Sequence, residues 1–217
     1  MSESKFEGLL TTEEKALVAS LNTPYTIQAF LDQTPYSPEN ANRCPLMVMR
    51  ERLAHCLDGA LFGAAMLRRL GYPPLILDML PEPGTDDDHV LAIYKVDGCW
   101  GAVAKSNFSG LRYREPVFRT LRELVMSYFE DFFNVHGQKT MRAYSCPVNL
   151  ATYDRCGWEW KNEGVDFIEQ HLFTLKRVPV ISPLAAGRLS NTDPLAYQAG
   201  MLGTNPDGLY KPGSPSH

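Results

Sequence analysis

Cys56 stands immediately before a long apolar run, and His89 opens a later one. A thiol and an imidazole in that order suggest covalent acyl transfer. The sulfur attacks a carbonyl while the ring takes the thiol proton and later returns it to the leaving group. A sulfur at a helix N-terminus sits beside unpaired N–H groups and positive dipole potential, which favour the thiolate. The same N–H groups can hold the oxyanion that forms on attack. Cys56 as an inert buried thiol is the competing reading.

Positioning such a pair needs a helix and a sheet. Leu57, Ala60, Leu61, Ala64, Leu67 and Leu70 recur at helical spacing after Cys56, and Gly71 with Pro73 and Pro74 stops the run. Strands are expected over Leu75–Leu80, His89–Val96 and Cys99 to about Lys105, the last two joined by the type I′ turn signal Asp97-Gly98. Counting outward from that turn, Val96 faces Cys99 and His89 faces Ser106, so Ser106 shares the histidine's side of a regular ladder. A bulge would bring in Asn107, whose side-chain carbonyl can orient an imidazole; Asn107 is the preferred third residue. Asp86, Asp87 and Asp88 are alternative partners.

These residues resemble the transglutaminase-like superfamily. The similarity rests on Cys56, Asp58, Ala60, Leu61, Phe62, Leu67, Arg68, Leu70, Gly71 and Pro73, then His89, Asp97, Gly98 and Trp100, and spans Cys56 to roughly Asn107. It implies an α+β, papain-like core in which the cysteine helix packs on an antiparallel sheet bearing the histidine, with further helices towards the C-terminus. The implied activity is that of a cysteine peptidase, amidase or transglutaminase-like acyltransferase. It would act on a peptide, protein or small amide or thioester substrate, with no cofactor. Arylamine acetyltransferases have a similar core, which extends the range to acyl-thioester donors. The family's acidic third residue falls here on Ala104, which cannot orient a ring. That departure supports an alternative, a non-catalytic ligand- or protein-binding member with a degenerate site.

Elsewhere, Thr11 and Glu14 read as a capping box for a helix over Thr12–Leu21, and Thr23-Pro24 begins a helix ending near Gln33. Helical spacing predicts further helices over Pro116–Phe133, about Val165–Lys176 and about Asp193–Met201, and Met141–Val148 reads as a strand. A single domain over 1–202 is expected, followed by an extended or disordered tail over 203–217 rich in Gly, Pro, Ser and Asn.

A formal charge of −4, with no Lys/Arg run, argues against nucleic-acid partners and anionic membrane surfaces. The acidic N-terminal residues and the absence of a long apolar stretch suggest a cytoplasmic protein. Five cysteines without a CxxC pair suit a reducing compartment. The aspartate run before His89, with Cys56 or Cys99, lacks the closely spaced Cys/His pairs of a zinc site, so no metal is expected. Arg112 and Arg114 are candidate carboxylate-binding groups, against an ion-paired surface as the alternative. Trp100 and Ser106 complete the candidate substrate-binding set. His55, His136 and His171 read as polar surface or helix-start residues. The oligomeric state is not encoded in any of these features.

Overall fold

The computed structural model describes residues 5–211. The chain begins with α1 (Lys5–Gly8), α2 (Thr12–Ser20), α3 (Pro24–Asp32), α4 (Pro45–Glu51) and α5 (Cys56–Arg69). It continues through β1 (Leu75–Pro81), β2 (His89–Val96), β3 (Cys99–Val103), β4 (Arg114–Phe118), α6 (Leu121–Met126), β5 (Met141–Ser145) and β6 (Val148–Asn149). Last come α7 (Asn162–Leu172), β7 (Arg177–Pro179), α8 (Pro183–Ala186) and α9 (Pro194–Gly200). The strands form one antiparallel sheet in the order β4-β3-β2-β1-β5-β7, with β6 also pairing β1. The protein is therefore α+β.

Side-chain alternation along the strands divides the core in two. Ile76, Val90, Ala92, Tyr94 and Val103 pack with the buried stripe of α5. Leu77, Met79, Leu91, Ile93, Ala102 and Ala104 face the other side, against Leu124, Val125, Tyr128 and Phe132. Two glycines let α5 lie directly on the sheet. A Cβ at Gly59 would stand 2.2 Å from the Cβ of Lys105, and one at Gly63 would stand 3.0 Å from that of Ala92. This contact fixes how far Cys56, one turn earlier, stands from the strands.

Several local expectations correspond to the structure. The Thr11–Glu14 capping box forms in both directions, at 2.8 and 3.2 Å. Val96 faces Cys99 across a turn in which Asp97 and Gly98 both have positive φ, 48° and 83°. The expected helix over Pro116–Phe133 is a correction. Residues 114–118 form an edge strand, where a proline and charged side chains are tolerated, and Thr120 caps the much shorter α6. The strand expected to reach Lys105 ends at Val103, and the buried Lys105 ammonium donates to the main-chain oxygens of Leu31 and Thr34.

The segment after residue 202 also differs from its expectation as far as it is described, because residues 206–208 form a 3-10 turn seated on the body. Residues 212–217 of that tail lie outside the described residues. Among the described residues no helix is long and apolar enough to cross a membrane.

Candidate thiol site

The start of α5 is held by its own third residue. The buried carboxylate of Asp58 accepts from the main-chain N–H of His55 at 3.1 Å and from that of Arg43 at 2.7 Å. Tyr36 and Ala54 form a parallel bridge, and Ser37 N–H donates to the Ala54 oxygen at 3.0 Å, so the loop before α4 lies along the helix start. Burial pushes the Asp58 carboxyl up to about 7, against the pull of these amides and of Arg43. His55 Nε2 stands 3.3 Å from Asp58 Oδ1.

Cys56 is 8% exposed, and its sulfur lies 3.9 Å from the main-chain oxygen of Asp88. It lines a cleft of about 180 Å³ together with Tyr36, His55, Asp88, Glu169 and Tyr210. The thiolate expected from the helix N-terminus is not the resting form. Burial, then the charges of Asp88 and Asp87, push the thiol well above its ordinary range. Desolvation and two carboxylates outweigh the helix dipole, whose effect is confined to about 1 kcal/mol in ordinary settings.

His89 takes the opposite side of the sheet. Val90, its neighbour, packs with the α5 side, whereas Leu91 and Ile93 belong to the second core. The imidazole is buried and donates from Nε2 to the main-chain oxygen of Leu111 at 2.7 Å. Burial depresses its pKa to about 4, so the ring is neutral. It lines a separate cavity of about 40 Å³ with Ser106 and Asn107. The two cavities share Tyr36, Asp87, Asp88, Gly208 and Tyr210 as walls.

The expected orienting bond from Asn107 to His89 is replaced. Asn107 Nδ2 donates to the Asn205 oxygen at 2.9 Å, and its Oδ1 accepts from Asn205 N–H at 2.7 Å, so both ends of the amide clasp the C-terminal segment. Ser106 Oγ accepts from Phe108 N–H at 3.0 Å.

The remaining expected substrate-binding groups lie elsewhere. Trp100 is at the hairpin's turn end, where the Lys95 ammonium lies 5.0 Å from its ring centre. Arg114 stacks on Tyr128 at 3.9 Å and donates to Ser127 and to the Gly110 oxygen. Arg112 bonds the Ser109 oxygen at 3.1 Å and Asp32 at 3.2 Å. These arginines are structural ties, and neither lines the Cys56 cleft. Among the described residues no group of three or more His, Cys, Asp or Glu side chains is placed to hold a metal ion.

Two cleft residues, His55 and Glu169, and the buried Asp78 of β1 were not singled out for chemistry by their sequence context. His55 reads as a bland helix-start residue, Glu169 as one charge on an amphipathic helix, and Asp78 is silent within a strand. Asp78 carries a usable signal, because it interrupts the apolar run Leu75-Ile76-Leu77 at an inward-facing position. No protein-family model and no curated protein matches the chain.

Proposed function

We propose that this protein is a thiol-dependent acyl-transfer enzyme, a cysteine hydrolase or acyltransferase with Cys56 as its nucleophile. The observation that carries this reading is the placement of the Cys56 sulfur at the first residue of a buried helix, on the wall of a cleft lined by ionisable groups. Amides of a first helical turn adjoin such a sulfur by construction and supply an oxyanion site. The cleft suits a peptide-like amide, ester or thioester.

A transglutaminase-like core is part of the proposal. In its favour, α5 packs on β2 and β3 behind a hairpin with the Asp97-Gly98 turn. The pattern is departed from at Ala104, whose side chain joins the second core, and at His89, whose Nε2 is committed to Leu111. These two departures favour a second reading, a ligand-binding member of the same fold with no turnover.

Exposure to p-nitrophenyl acetate, followed by intact-mass and peptide mass spectrometry, separates the two. Acyl transfer predicts a transient acetyl adduct on Cys56 that is missing in Cys56→Ala. A chain that never acylates at Cys56, while remaining folded, is a binding protein.

A further inference from the structure

The acid–base partner of the thiol remains to be assigned, and the sheet beneath the cleft supplies one. Asp78 on β1 pairs with Val90 on β2. Asp88 immediately precedes β2, and continuing the alternation of Val90 by two residues would turn its carboxyl to the face of Asp78. Asp88 lines the Cys56 cleft, and its main-chain oxygen is the atom 3.9 Å from the sulfur. Asp78 is 2% exposed. Its Oδ1 has no hydrogen-bond partner among the described residues, although its main-chain N–H donates to Ser145 Oγ at 3.0 Å. An unpartnered carboxylate oxygen at that depth needs a proton or a donor.

We propose that Asp88 is the catalytic acid–base partner of the Cys56 thiol and that Asp78 positions and charges it through a shared proton. This assignment rests on the acyl-transfer reading above. The charge of Asp78 acts on Asp88, and a like charge opposes the ionisation of its neighbour. Burial pushes both carboxyls up, Asp78 to about 7, and the charge of Asp78 further raises the affinity of Asp88 for the proton, while Asp87 does the same to both. Other groups face the pair: Cys56 from α5, Asp87 from the preceding loop, Glu169 from α7, Arg177 from β7 and Tyr36 from the loop before α4. Of these, Arg177 opposes the upward shift.

The steps balance without any other co-reactant than water or an acceptor nucleophile. The S–H proton moves to the ionised pair as the S–C bond forms and the carbonyl π electrons move to oxygen. As the tetrahedral species collapses, the bond to the leaving group breaks, and that group takes the proton from Asp88. Water or an acceptor amine then gives its proton to the pair while attacking the thioester carbon. Collapse breaks the S–C bond, and the proton returns to sulfur.

The test uses the full chain, p-nitrophenyl acetate and iodoacetamide. Asp88→Asn should slow acylation of Cys56 by about 100-fold or more. The same variant should alkylate faster than wild type at about pH 8, because a negative neighbour of the sulfur is gone. A merely structural role moves both rates in one direction. Asp78→Asn should shift the acid limb of the acylation profile to lower pH, because Asp88 loses the charge that raises it. Asp88→Glu, which keeps the carboxyl, should retain more acylation than Asp88→Asn and controls for folding. Wild-type acylation by Asp88→Asn, or an acid limb unmoved in Asp78→Asn, overturns the assignment while leaving the thiol reading intact. Absence of any Cys56 acylation in the wild type overturns both.

Discussion

The imidazole of His89 donates to the main-chain oxygen of Leu111 across 2.7 Å, from a position that is 4% exposed. The carbonyl only accepts, so the ring is held as its Nε2–H tautomer. Its folded pKa, about 4, lies below the ordinary 6.5. The unfolded chain therefore binds the proton first as pH falls, and stability is lost between those two values. The loss attributable to this group is at most about 3 kcal/mol. His89→Gln should flatten that part of the curve when urea midpoints are compared at about pH 7 and pH 4.5. An unchanged acid slope would show that the ring titrates freely in the folded state.

Asp58 makes the opposite prediction. Its folded pKa is raised to about 7, so the native state holds the proton more tightly and this group's contribution falls as pH rises from about 4 through about 7. Asp58→Ala unpins two main-chain amides at the helix start and should cost about 3 kcal/mol near pH 5, and less at pH 8. Denaturant melts at the two pH values measure the difference.

At Gly59, even one methyl group overlaps the Lys105 Cβ. Gly59→Ala should destabilise the fold by about 3 kcal/mol through overpacking. Because α5 must lift, it should also lower the rate of Cys56 acylation. A variant with wild-type stability would show that the helix–strand contact has room for a methyl group.

The raised Cys56 thiol sets an order of modification. Exposed Cys146 should react with iodoacetamide well before Cys56 at neutral pH, with Cys56 gaining only in alkaline solution. Peptide mass spectrometry over a time course reads this directly. Selective labelling of Cys56 at pH 6 would indicate a stabilised thiolate and contradict the neutral resting site.

The clasp between Asn107 and Asn205 should govern the segment that follows α9. Asn107→Ala removes both side-chain bonds and should expose residues near 203–211 to proteolysis and faster amide exchange, with little change in the sheet. Equal protection in the variant would assign the anchoring to Tyr36 and the Asn205 side chain instead.

Local features are legible in the sequence. The α5 helix, its stop, the Thr11 capping box and the Asp97-Gly98 hairpin each depend on residues close in the chain, and all stand where periodicity and turn chemistry put them. Non-local facts are not legible in this way. Alternation shows that His89 and Val90 point apart, but which of them faces the cysteine depends on the side that α5 covers. Pro116 looks like a helix start until β3 recruits its neighbours as an edge strand. The composition after residue 202 suggests a loose tail because nothing in it reveals that Asn107 will hold Asn205.

The close seating of α5 also bears on how relatives could be found. Gly59 and Gly63 lie one turn apart on the stripe that meets Lys105, Ala92 and Val103, so a bulkier side chain at either glycine demands a smaller one across the contact. These positions should therefore drift as linked pairs while the helix exterior changes freely. Cys-x-x-Gly-x-x-x-Gly, followed by a strand with small residues at the matching places, is therefore the sequence signature this seating would leave in any chain that shares it.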